Sequence, residues 1–212
     1  KKVAAPKAGK AKAEDMLRLI PKDVMAVFFV DLHRVLAMEA VDKSLKEEKS
    51  QQKLQEFIQK TGIDPQKDIF FVTGALTKEA DKPNPEGMGI INLKYNKETL
   101  LTRIKEEMGK KPEEKQELLE AKYGDFTVYS VKWEHGEGAS FCFLNDSNIA
   151  VGNENNVKSM IDVLGKKTES VLKNEALSQL LTKTNKEAMF WAALNLPPEM
   201  VKAIVAENPN LS

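Results

Sequence analysis

Cysteine is nearly missing from this chain. Cys142 stands alone, so no disulfide can close within the molecule. That slightly favours a reducing compartment, although exported proteins without disulfides are also common. Histidine is almost as scarce. His33 and His135 are the only two, and neither an HxH, an HExxH nor a Cys/His spacing occurs, which argues against a zinc site. No apolar run approaches the roughly 18–20 residues that a membrane-spanning helix needs. Glycine is never arranged as GxGxxG or GxxxxGK[ST] after a strand, so no phosphate loop is expected. Asn145-Asp146-Ser147-Asn148 and Asn153-Glu154-Asn155-Asn156 are rich in oxygen ligands, but neither follows the calcium-loop pattern with a distal Glu. Turns and helix caps explain both. No cofactor is implied.

An excess of charge is absent too. The 212 residues carry 32 basic and 32 acidic side chains. The balance is uneven along the chain. Lys1, Lys2, Lys7, Lys10 and Lys12 precede the first acid, Glu14, which leaves a mildly acidic body. A nucleic-acid partner needs a basic face, so that class is set aside. What is present is ample core material, with 42% hydrophobic residues. The length fits one domain, or one domain and part of another.

Residues 1–13 (KKVAAPKAGKAKA) have little to bury and read as a flexible Lys/Ala-rich leader or linker. The chain opens on Lys, which fits either a removed export signal or a trimmed start. Such a leader would tether the body to an upstream anchor, touch anionic lipid, or simply be disordered. An α+β domain is expected over 14–179. Val24–Val30 is an apolar run without strict alternation, as in a strand covered on both faces. Asp31 follows as an N-cap for a short helix. Further strands are expected at Ile69–Leu76, Met88–Tyr95, Leu118–Tyr123, Phe126–Trp133, Ala139–Leu144 and Ile149–Val151, with a charged hairpin loop over 77–86. Ser44-Leu45-Lys46-Glu47 has capping-box form ahead of a helix closed by Gly62. Asn96, Asn153 and Asn174 are placed to cap three more helices.

Residues 180–212 read as a last helix, strand and helix. Laid over the opening with an offset of 164 residues, Met25 falls on Met189, Asp31 on Asn195 and Leu32 on Leu196. The match suggests that 180–212 either begins a second repeat unit or supplies a strand to the first sheet.

The phrase LRLIPKDVMAVFFVDLHRVL resembles the opening of certain bacterial extracytoplasmic domains of unknown function. IDPQKDIFFVTGAL, SNIAVGNENNVKSMIDVLG and SVLKNEALSQLL are similar to later landmarks of the same type, and together they cover most of 16–196. The resemblance implies an exported, often lipid-anchored protein with a mostly antiparallel α+β fold. It supplies no activity and no catalytic residues.

The most suggestive local cluster is Trp133-Glu134-His135-Gly136-Glu137-Gly138. It brings an aromatic ring, an imidazole and the carboxylates of Glu134 and Glu137 onto one expected loop. A binding edge or weak metal contact there competes with a plain strand connection that uses glycine for its turn. Cys142 lies in an apolar strand and reads as a core residue rather than a nucleophile. Trp191 and Phe190 read as core, or as an assembly surface if part of their strand is exposed.

The expected architecture is therefore α+β, a mostly antiparallel sheet of about seven to eight strands with helices mainly on one face. The expected function is a non-enzymatic extracytoplasmic module, protein-binding or structural. An alternative is a carrier of an apolar molecule or lipid between sheet and helices, and an enzyme resting on the 133–138 loop comes third. Membrane contact is expected only through a removed N-terminal anchor.

Overall fold

The computed structural model describes residues 7–9, 12–77, 85–110, 116–133 and 136–207. Eight antiparallel strands form one sheet: β1 (Ala26–Asp31), β2 (Ile69–Thr77), β3 (Glu86–Leu93), β4 (Glu117–Tyr123), β5 (Phe126–Trp133), β6 (Gly136–Asn145), β7 (Asn148–Gly152) and β8 (Phe190–Leu194). Their spatial order is β4-β5-β6-β7-β3-β2-β1-β8. The fold is thus α+β with an antiparallel sheet. The hairpin loop expected over 77–86 falls mostly outside the described residues.

Strand periodicity decides the layering, because successive side chains point to opposite faces. Cys142 and Leu144 of β6 enter one core, while Phe141 and Phe143 enter the other. Ala150 of β7 follows the first pair, and Ile149 and Val151 follow the second. On the first face, α1 (Ala13–Leu17), α7 (Glu154–Leu164) and α8 (Glu175–Lys183) bury Met16, Leu17, Val157, Met160, Ile161, Leu177 and Leu181 against the sheet. On the second, α6 (Lys97–Gly109) brings Leu100 and Ile104, joined by Ile63 just beyond α4 (Glu48–Thr61). Helices therefore lie on both faces, not mainly on one as expected. The apolar character of both residue parities in β3 and β7 requires it.

The asparagine caps behave as their spacing predicts. Asn96 accepts from the Thr99 amide at 2.9 Å, Asn153 from Asn156 at 2.7 Å and Asn174 from Leu177 at 3.0 Å. Gly62 ends α4 at φ 72°, a left-handed conformation that favours glycine. The expected capping box does not form. Ser44 lies inside α3 (Glu39–Leu45), and α4 begins after Glu47 without a side-chain cap. Part of the expected leader is also docked. The Gly9 amide donates to Asn92 Oδ1 at 3.0 Å, and Asn92 Nδ2 donates to Asn148 Oδ1 at 2.9 Å. A buried asparagine thus spends its donors and acceptor on the chain around it.

Candidate functional site

The 133–138 cluster is mostly strand rather than loop. Trp133 ends β5, and Gly136 to Gly138 begin β6, with Trp133 opposite Gly136 and Lys132 opposite Glu137. Glu134 and His135 lie outside the described residues. Trp133 is 46% exposed. Its indole lies over Gly138, where an added Cβ would stand 2.2 Å from Trp133 Nε1 and 2.5 Å from the Val131 carbonyl oxygen. Glycine at 138 is there to admit a ring. His33 is exposed in the first turn of α2 (Leu32–Leu36), its ring centroid 5.8 Å from that of Phe70.

Reactive groups are quenched by their surroundings. Cys142 is 1% exposed, and burial pushes its thiol up to about 12, so the nucleophilic thiolate is suppressed at neutral pH. Burial also raises Tyr95 well above the usual phenol range, and its hydroxyl donates to the Asn145 carbonyl. Burial works to raise Asp162 as well. Lys167 Nζ at 2.9 Å and the Tyr123 hydroxyl at 2.7 Å outweigh it and hold the carboxyl below its usual range. That trio pins β4 to α7 and engages both oxygens of the carboxylate in structural contacts. Among the described residues, no group of three or more His, Cys, Asp or Glu could hold a metal ion.

Asp31, a polar residue at a strand end, is a cap. Its Oδ1 accepts from the Arg34 amide at 3.0 Å, while Arg34 Nη1 donates to the Glu187 carbonyl at 3.0 Å. That second bond ties α2 to the turn before β8.

The unusual surface is β8 itself. Its side chains alternate sharply: Trp191 and Ala193 are buried, whereas Phe190 is 60% and Leu194 51% exposed. On the first face, Trp191 stacks on Phe29, which stacks on Phe71, with centroids 5.7 and 5.6 Å apart. On the second face, Phe190, Ala192 and Leu194 form an apolar stripe beside Phe28. The Phe28 ring reaches across β2 over Gly74, where an added Cβ would meet it at 2.0 Å.

The register sharpens the resemblance between the two ends of the chain. Phe28 pairs with Ala192, and these residues are also equivalent in the 164-residue overlay. The Asp31 amide donates to the Met189 carbonyl at 2.7 Å, and the Asn195 amide donates to that of Met25 at 2.7 Å. The overlay exchanges these two bonds. β1 and β8 are therefore related by a local two-fold axis through Phe28 and Ala192. The likeness stops at the cap. Asn195 is followed by Leu196 and Pro197 before α9 (Pro198–Glu207) begins, so it does not occupy the position that Asp31 holds before α2.

A cleft lies among α2, α3, α4 and α5 (Pro65–Asp68). It is an open cleft of about 330 Å³, with Leu36, Leu45, Leu54 and Pro65 providing its apolar wall. No local pattern points to it, because its walls come from four separate helices that only the fold brings together. No helix among the described residues is long and apolar enough to cross a membrane.

No protein-family model matches the chain, and no curated protein matches its sequence. Among solved structures, it is similar to TP0453 in its crystal form III, at 9% identity and a TM-score of 0.43. The match covers 71% of this chain and 52% of that one, so the chain spans about half the length of that protein.

Proposed function

We propose that this chain is a non-enzymatic extracytoplasmic module that binds a protein partner or serves a structural role, and that β8 is the element through which it acts. The observation that carries this reading is the strand at the sheet's end, which presents Phe190 and Leu194 to solvent. Apolar side chains of that size, contiguous at a strand edge, are ordinarily covered by a partner. The quenched state of Cys142, Tyr95 and Asp162 supports a non-catalytic role. The extracytoplasmic assignment rests on the resemblance of the opening phrase and on the linker-like leader.

A photo-crosslinking amino acid at position 192, introduced in the native host, tests the reading. Discrete protein adducts should form from position 192 in the cell-envelope fraction and not from the exposed Gln52 on α4. Equal adducts from both positions would remove β8 from the proposal, and a purely cytosolic distribution would remove the compartment.

The cleft walled by Leu36, Leu45, Leu54 and Pro65 supports the second reading, a carrier of an apolar molecule or lipid. Native mass spectrometry of the purified chain decides it. A co-purifying lipid lost on Leu54→Lys would establish the carrier, and a bare mass from host cells would end it.

A further inference from the structure

We infer that the partner of β8 is the β8 of a second copy of this chain, paired antiparallel about Ala192. The inference rests on the reading of β8 as the interacting element and names what occupies it.

The backbone of β8 has two edges. Met189 and Asn195 exchange bonds with β1, and the alternation of an antiparallel ladder assigns Trp191 and Ala193 to the same edge. Phe190, Ala192 and Leu194 therefore direct their amides and carbonyls away from the sheet. β8 is the last strand in the order, so these groups meet no strand among the described residues.

The opposite end of the sheet gives the contrast. β4 is also an edge strand, and it carries Glu117, Glu120 and Lys122. Charges of that kind are how sheet edges are kept from pairing. Residues 190–194 (FWAAL) contain neither a charge nor a proline. One edge is protected and the other is not.

A strand of this composition is complementary to itself. With Ala192 opposite its own copy, Phe190 stands opposite Leu194 and Leu194 opposite Phe190. Every outward amide then faces an outward carbonyl in the register that an antiparallel pair requires. On the open face, each Phe190 ring covers the Leu194 of the other copy, an aromatic–aliphatic pair of the kind that stabilises sheets. Beyond the strand, the Lys186–Glu187 turn of one copy comes beside Pro197 and Pro198 of the other, so like charges do not meet. The pairing is isologous and closes at two copies. Pairing β8 with the charged β4 of another copy would instead grow without closing.

The test is the mass of the chain in solution, by light scattering after gel filtration at concentrations from about 1 to about 200 µM, a range that brackets weak strand-edge association. Amide hydrogen exchange at residues 190, 192 and 194 is measured alongside. The expected result is a dimer at the upper concentrations, with these three amides protected. Ala192→Pro removes an outward amide and no bond to β1, and Leu194→Lys places two like charges in the new interface. Both should give monomer with an unchanged circular dichroism spectrum. Should Ala192→Pro fail to fold, Leu194→Lys, at an exposed position, carries the test alone. A folded variant that stays dimeric overturns the inference. A monomeric wild type with fast exchange at all three amides overturns self-pairing but leaves an open edge for another protein. A monomeric wild type with protected amides overturns both, since the chain itself would then cover β8.

Discussion

Gly74 and Phe28 form the sharpest test of how the second face is built. An alanine at 74 would place its Cβ 2.0 Å from Phe28 Cζ and 2.3 Å from Cε1, so the ring must leave. Full burial of a phenylalanine side chain is worth about 1.5–3 kcal/mol. Phe28 is half-buried, so displacement forfeits about 1 kcal/mol. A forced off-rotamer torsion adds about 0.5–1.5 kcal/mol. Against this, removing a strand glycine gains about 0.5–1 kcal/mol. Gly74→Ala should therefore destabilise the wild type by about 1 kcal/mol net. In a Phe28→Ala background nothing occupies the space, and the same substitution should stabilise by about 0.5 kcal/mol. The coupling in the double-mutant cycle is then about 1.5–2 kcal/mol, well within what neighbouring residues show. Urea unfolding followed by circular dichroism measures all four proteins, with constant slopes confirming a common unfolded state. Equal effects of Gly74→Ala in both backgrounds would refute the reasoning, because they would place the cost in the backbone rather than in the ring.

Thr73 has a buried hydroxyl with no hydrogen-bond partner among the described residues, so Thr73→Val should raise stability by about 1 kcal/mol. A lower urea midpoint in that variant would mean that the hydroxyl has a partner after all. Asp162 is held below its usual carboxyl range in the folded chain. Its contribution is thus present at pH values above its unfolded pKa and lost as pH falls through the folded one. Asp162→Asn should be less stable than wild type at pH 7 and lose less on acidification to about pH 3, as urea midpoints at the two values will show. An equal acid loss in both proteins would contradict this. Cys142, with its thiol raised to about 12, should resist a disulfide-exchange reagent at pH 8 in the folded state and react fully in denaturant. Rapid labelling of the native chain would indicate that β6 opens locally.

Much of the sheet was readable before any fold was known. The strand positions follow from apolar runs bounded by turn residues, and the caps at Asp31, Asn96, Asn153 and Asn174 follow from short side-chain acceptors ahead of periodic segments. Local chemistry decides such features, and local chemistry is what a sequence displays. The exceptions share a non-local cause. Ser44 has a capping box in letters, but it sits inside α3, which ends one residue later at Leu45, and α4 starts afresh at Glu48. The 133–138 cluster has the composition of a loop, yet Trp133 pairs with Gly136 and its ring packs over Gly138, a cross-strand contact that composition does not display. Phe190 and Trp191 are adjacent aromatics of similar apolarity, and only strand order reveals that one is buried while the other faces solvent. The cleft walled by Leu36 and Leu54 was invisible for the same reason.

The position of β8 beside β1 also has a consequence for how the molecule is made. The two strands are separated by residues 32–189, yet they are neighbours in the sheet. Chains emerge from synthesis or translocation N-terminus first. Until residue 194 has emerged, β1 is itself the edge, and Val27, Phe28 and Phe29 stand at an unprotected rim. The nascent molecule thus passes through a stage in which an apolar strand waits for its last neighbour. Such long-range closure slows folding and exposes an aggregation-prone segment for its duration. Truncation before Phe190 would make that stage permanent, and the fate of such a fragment depends on whatever holds it apart from its own kind.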